Sequence, residues 1–344
     1  MTKLIGVIGA GSFGTSIAQL ISKNVDVLLY ARNKDLVHKI NTTHEHLGVQ
    51  LNKNIEATFD PKYLSENCTL IFPIVPSTNF RAMMKTFSPY LRPYHILIHG
   101  TKGFDVKKED LTELEEGKIS WEHVHTMSDV IKQESVVKRI GCLSGPNLSA
   151  EIMAGQPTAT LIASPYDEVF DLGKKVLRSS QFHVFGSRSM LGAEMAGGLK
   201  NVYALGSGIL GGLGLGKNIQ AMLISRGLAE MIYFAKAFDI GKSAFLGTAG
   251  IGDLIATATS TDSRNYTFGM RMGQGESLEK IMDTMPELAE GVRTLKIFNH
   301  ISRKYKIRVP IIQMLYRIVF EGFEVQKALK YLIAYPYDVD VDFL

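Results

Sequence analysis

Short apolar runs alternate with amphipathic stretches through the first half of the chain, and the alternation stops near residue 187. The run LIGVI at 4–8 has the composition of a strand buried on both faces. Runs at 25–30, 69–75, 95–99, 139–143, 157–163 and 182–185 repeat that signature. Helical spacing appears between them, clearest at 15–22 and 167–179. Alternation of this kind predicts an α/β doubly wound sheet. From residue 188 the apolar positions recur at helical spacing, at 219–237, 278–284, 294–305, 311–321 and 325–334, with almost no strand pattern. Two domains are therefore expected, a sheet domain over 1–187 and an all-helical C-terminal domain over 188–344. Residues 105–126, which hold Trp121, carry no clear pattern, and 335–344, with Pro336 and three aspartates, reads as a loose end.

The first strand run is followed at once by Gly9-Ala10-Gly11-Ser12-Phe13-Gly14, then by a helical run and a second strand. A GxGxxG in that βαβ setting is the dinucleotide-binding fingerprint of a Rossmann-like domain, whereas an isolated one is a chance turn. Gly9 and Gly11 permit the turn and the approach of a pyrophosphate, Gly14 lets helix and strand pack, and helix amides face the phosphates. The second strand ends Tyr30-Ala31-Arg32-Asn33, without the acidic residue that holds an NAD ribose. Arg32 suits a 2′-phosphate, which favours NADP(H) and admits NAD(H); the plain alternative is an exposed arginine at a strand end. Pro76-Ser77 and Lys102 follow later strand runs, at the sheet edge where ligands bind in open α/β folds, although loop solvation explains Lys102 equally well.

In the helical half, Gly192-Ala-Glu-Met-Ala-Gly-Gly-Leu-Lys200-Asn201 sets one long cation among small residues. A lysine in cramped apolar company gives up its proton more readily, as proton transfer requires. A lone helical lysine more often snorkels to solvent. Asp253 and Thr257, at i and i+4 after Gly250 and Gly252, share a helix face, and alone they would read as a capping aspartate and its neighbour. Ser263-Arg264-Asn265 offers a guanidinium and an amide to a phosphate dianion from a loop before a helix. Glu290-Gly291-Val-Arg293 puts a carboxylate and an arginine around a glycine turn.

Bulk properties narrow the function. A net charge of +4 on 344 residues, without a dense basic run, argues against nucleic acid as a partner and leaves room for a small anion. Cys68 and Cys142 are far apart with no CxxC, so buried reduced thiols and no metal site are expected. The glycine-rich run 202–216 is too short for an integral membrane segment, and no signal-peptide pattern precedes the first strand, so a cytoplasmic protein is expected.

The ordered set Gly9–Thr15, Val75–Ser77, Thr101–Gly103, Ser144–Pro146, Leu199–Asn201, Arg226–Glu230, Gly252–Leu254, Ser263–Asn265 and Glu290–Thr294 resembles the bacterial type of NAD(P)-dependent glycerol-3-phosphate dehydrogenase over most of the chain. The resemblance implies a Rossmann-like and a helical domain with the active site between them. It implies reversible reduction of dihydroxyacetone phosphate, a triose phosphate, to sn-glycerol 3-phosphate for glycerophospholipid synthesis. By resemblance Ser12, Phe13, Arg32, Asn33, Lys102, Ser149, Arg264, Leu288 and Glu290 face the cofactor. Lys102, Gly145, Asn147, Lys200, Asp253, Ser263, Arg264 and Asn265 face the substrate, with Lys200 the acid/base. Phe13 stands where the family commonly has tryptophan, and Asn147 and Ser149 stand where it more often has Ser/Thr and Ala. Residues 44–51 and 105–126 match poorly, and no role is carried over from them.

Two other readings share parts of this pattern. A β-hydroxyacid or ketopantoate-type reductase has the nucleotide loop and a helical-domain lysine but needs a carboxylate site in place of Ser263-Arg264-Asn265. A non-catalytic nucleotide sensor has no need of Lys200, Asp253 and Arg264 together. The helical half carries apolar faces enough for a homodimer.

Overall fold

The computed structural model describes residues 4–285 and 289–334. Eight strands form the main sheet: β1 Leu4–Ile8, β2 Asp26–Tyr30, β3 Ile55–Thr58, β4 Leu70–Pro73, β5 Ile96–His99, β6 Arg139–Ser144, β7 Thr158–Ala163 and β8 Phe182–Ser187. Their order is β8-β7-β6-β5-β4-β1-β2-β3. The chain reverses direction across the sheet between β1 and β4, the switch point at which such folds bind nucleotides.

Alternation along each strand divides the core in two. Val27 and Leu29 of β2, with Ile96 and Ile98 of β5, enter one apolar cluster; Leu28 and Tyr30, with Leu97, enter the other. Each fully buried aliphatic side chain contributes about 1.5–3 kcal/mol. Helix starts are marked by their own residues: Asp60 caps the Pro61–Asn67 helix through the Lys62 and Tyr63 amides, and Thr126 pairs with Asp129 in a capping box.

Two features depart from the sequence reading. β3 has no counterpart among the expected strands, because IEAT is short and half polar. β7 runs antiparallel to β6, with Ser144 opposite Leu161, so the sheet is not wholly parallel. The link from β6 holds only the five-residue helix Ser149–Met153, which turns the chain back on itself.

The described chain divides into two compact units. One takes residues up to Asp105 with His125–Met190, and the other takes Val106–Val124 with the chain from Leu191 onward. The continuous 1–187 expectation sets 106–124 in the sheet domain, whereas the structure groups that segment with the helical unit. That segment joins the helical unit through Trp121, whose ring stacks on Phe238 at 4.4 Å and whose amide donates to the Tyr305 hydroxyl at 3.3 Å. The second unit is otherwise helical, and no described residue after Leu191 lies in a strand. Its longest helices are Met190–Gly212 and Lys217–Ala237. No described helix is long and apolar enough to cross a membrane. Cys68 and Cys142 are both buried and neither is in a disulfide, and burial pushes the Cys68 thiol up to about 12.

Candidate active site

In the sheet unit, β1 is followed at once by Gly9, whose φ of 116° is the glycine region. A Cβ on Gly9 would lie 2.1 Å from Ile74 O, and one on Gly14 would lie 1.8 Å from Gly9 O. Both positions therefore exclude a side chain. Gly11 is different: a Cβ there meets nothing within 4 Å, and the residue is exposed. The Ser12–Ile21 helix begins immediately afterwards, with no side-chain cap bond and no acidic residue in its first turn. An uncapped helix start beside open space suits an anionic pyrophosphate. Thr15, 1% exposed, leaves its Oγ1 without a partner in that first turn. The cradle fits a dinucleotide.

Ser12 is exposed at the helix start, and Phe13 is half-buried with its ring against Gly100, where a Cβ would come within 2.9 Å. Arg32 is exposed just beyond β2. Asn33 plays a structural part, since its Oδ1 accepts from the Asp35 and Leu36 amides and caps the Lys34–Thr43 helix. Lys102 Nζ donates to Gly145 O at 2.8 Å, which joins two of the expected substrate residues. Asn147 Nδ2 donates to Thr160 Oγ1 at 2.8 Å, while its Oδ1 is buried without a partner. Ser149 opens the Ser149–Met153 helix and is half-buried.

In the helical unit, Lys200, Asp253 and Thr257 are 4%, 1% and 4% exposed. Lys200 Nζ donates to both Asp253 Oδ1 and Thr257 Oγ1, and Thr257 Oγ1 donates to Asp253 Oδ1 at 3.3 Å. The company of Lys200 is therefore not purely apolar: a carboxylate balances the ammonium. Asp253 is not a cap, since Gly252 occupies that position and the carboxylate turns to Lys200.

Arg264 and Asn265 belong to a helix rather than a loop. Ser263 caps the Arg264–Gly273 helix through the Tyr266 amide, and Arg264 is its exposed first residue. Asn265 Nδ2 donates to Asn201 Oδ1 at 3.0 Å, and its Oδ1 accepts from the Gly291 amide at 2.9 Å. Gly291, expected in a turn, lies in the first turn of the Glu290–Lys304 helix. A Cβ on it would come within 2.6 Å of Asn201 O, so glycine serves close approach there. Glu290 is half-buried at that helix start, and Leu288 lies outside the described residues.

The helix carrying Lys200 meets the helix carrying Arg264 backbone to backbone. Cβ atoms on Gly208 and Gly212 would lie 2.0 and 2.1 Å from Tyr266 O and Met270 O. Reciprocally, those on Gly269 and Gly273 would lie 2.0 and 2.3 Å from Leu205 O and Ile209 O. Ser207 Oγ donates to Ala258 O at 2.6 Å and ties the Lys200 helix to the one bearing Asp253.

Two groups escape the sequence reading. Glu230, 4% exposed, accepts from the Ile311 and Ile312 amides and from the Tyr203 hydroxyl, and burial pushes its carboxyl up to about 8. Its motif is visible in the sequence; the Ile311 and Ile312 amides, far along the chain, are not. His46 Nε2 lies 2.7 Å from Ala10 O inside the glycine loop, and no local pattern signals that contact.

Comparisons with known proteins point to one family. The model of the NAD-dependent glycerol-3-phosphate dehydrogenase N-terminus matches residues 4–170, and that of the C-terminus matches 189–330. A glycerol-3-phosphate dehydrogenase (NAD(P)+) from Teredinibacter turnerae is 36% identical, over 98% of this chain and 96% of its own. One from Pseudomonas aeruginosa is 35% identical, over 99% of this chain and 97% of its own. The solved glycerol-3-phosphate dehydrogenase of Coxiella burnetii is similar at TM-score 0.85 and 28% identity, covering 96% of this chain and 98% of that one. A dinucleotide cradle and a buried Lys–Asp–Thr cluster thus occur in a chain matched along nearly its whole length, and the chain belongs to the NAD(P)-dependent glycerol-3-phosphate dehydrogenase family of oxidoreductases.

Proposed function

We propose that the chain reduces dihydroxyacetone phosphate to sn-glycerol 3-phosphate, reversibly, with Lys200 as the proton donor. The observation that carries this reading is the buried cluster in which Asp253 and Thr257 both hold the Lys200 amine. A reduced nicotinamide dinucleotide, its pyrophosphate held by the Gly9–Gly14 loop, would supply the hydride that reduces the ketone carbon. Negative charge then develops on the ketone oxygen, and Lys200 Nζ gives that oxygen its proton. In the oxidation direction the same nitrogen takes the proton from the hydroxyl. Asp253 keeps the amine oriented throughout, and Thr257 fixes its second hydrogen-bond direction.

Arg264, exposed at a helix start, offers its guanidinium to the substrate phosphate together with the first-turn amides. Asn265 uses one of its two Nδ2 hydrogens on Asn201, which leaves the second for a phosphate oxygen. Binding energy from the phosphate orients the reacting carbon. Arg32 supports acceptance of NADP(H), with NAD(H) also used, and glycerophospholipid synthesis in the cytoplasm is the proposed destination of the product.

The direct test is a steady-state assay of dihydroxyacetone phosphate with NADPH and with NADH, followed by nicotinamide absorbance. Turnover of the triose phosphate is expected with both. Failure with both, alongside turnover of a 2-keto acid, would replace this reading with the carboxylate-reductase one.

A further inference from the structure

His46 Nε2 reaches the carbonyl of Ala10 from a hairpin that the family motifs do not include. A carbonyl oxygen can only accept, so Nε2 carries the hydrogen. The hairpin pairs Glu45–His46 with Val49–Gln50, and its turn sets Leu47 and Gly48 at φ 52° and 76°. Leucine in the left-handed region is uncommon and marks a backbone held in place by its surroundings.

Several bonds hold it. The Lys34–Thr43 helix ends on His44 at φ 51°. Leu51 N donates back to His44 O, and Gln50 Nε2 donates to Thr43 O and His44 O. Leu51 is 2% exposed in the core, and the Asn52 amide donates to Gln19 Oε1 at 2.9 Å, on the helix that follows the glycine loop. The hairpin is therefore anchored to the element whose N-terminus it overhangs.

The Ala10 carbonyl and the Gly11 N–H belong to one trans peptide and point in opposite directions. Holding the carbonyl on the His46 side turns the Gly11 N–H the other way. Gly11 is also the loop position with open space around it. We propose that His46 is a positioning residue of the dinucleotide site, whose bond to Ala10 O locks the Ala10–Gly11 peptide with its N–H presented to the cofactor pyrophosphate. The proposal rests on reading the Gly9–Gly14 loop as the dinucleotide site. A pyrophosphate is common to NADPH and NADH, so the effect of His46 is the same for both.

The test is isothermal titration of the wild-type chain and of His46→Ala, His46→Phe and His46→Gln with NADPH and with NADH. His46→Ala is expected to raise both Kd values by the same factor, about five- to tenfold, the loss of one directing hydrogen bond. His46→Phe keeps the ring's bulk without the donor and should match the alanine variant, whereas the glutamine amide should restore both Kd values to within about twofold. Binding within twofold of wild type by the Phe variant, or a glutamine variant no better than Phe, would overturn the proposal. A loss confined to NADPH would also overturn it, since that marks a 2′-phosphate contact. A wild-type chain binding neither dinucleotide would sink the loop reading itself, before any variant is compared.

Discussion

Lys200 and Asp253 form an ion pair between two helices of one unit, with side-chain exposures of 6% and 2%. Taking two charges from water costs several kcal/mol each, and their attraction offsets that only in good geometry. Such a pair says little for stability and more for a chemical role. Lys200→Ala should lower kcat by about two to four orders of magnitude, the range for loss of an acid/base group, with a much smaller change in KM. Near-normal turnover would remove the assigned role. The same variant leaves Asp253 buried without its counter-charge, so urea denaturation should show a loss of about 3 kcal/mol; Lys200→Ala with Asp253→Asn should recover part of it.

Arg264 is tested through the phosphate. Arg264→Ala should reduce kcat/KM for dihydroxyacetone phosphate by about 30- to 150-fold, as for a charge-assisted bond of about 2–3 kcal/mol. The already poor turnover of unphosphorylated dihydroxyacetone should hardly change. Equal losses on both substrates would place the phosphate elsewhere.

Glu230 makes stability depend on pH in an unusual direction. Burial raises its carboxyl from 4.5 to about 8, outweighing the lowering effect of the Ile311, Ile312 and Tyr203 donors. The folded chain therefore binds one more proton than the unfolded chain between those values, and stability falls as pH rises through that window. Below about 4.5 the contribution is fully present; above about 8 it is gone. Urea midpoints between pH 5 and 9 should decline in the wild type and decline less in Glu230→Gln. Parallel curves would mean that Glu230 is already ionised across the range.

Gly208→Ala forces a methyl group to within 2.0 Å of Tyr266 O unless the two helices separate. Overpacking of this kind costs about 1–3 kcal/mol, more than the helix propensity gained by alanine. A lowered urea midpoint is expected, and Gly269→Ala should behave alike. A stabilised Gly208→Ala would show that the helices part freely.

Much of the fold follows from local pattern. The Gly9–Gly14 loop, β1 and β2 are legible because the strand, turn and helix signals are contiguous. The Met190–Gly212 helix is legible, and so is Asp253 beside Thr257, since i and i+4 share a face. What escapes depends on distant partners. Gly291 looks like a turn until Asn201 is set against it, and Arg264 looks like a loop residue until Ser263 is seen to cap a helix. The 106–124 segment has no periodicity because a few aromatic and polar contacts hold it, with Trp121 on Phe238 foremost.

The interleaved glycines of the Met190–Gly212 and Arg264–Gly273 helices leave no side-chain cushion between two backbones. Rigid contact of that sort behaves like a caliper: the helices that carry Lys200 and Arg264 are held at a fixed separation. With Lys200 and Arg264 in the roles proposed above, a ketone phosphate longer or shorter by one carbon would meet an unyielding gauge, so redesign for such a compound calls for changing the helix seam before the two residues themselves.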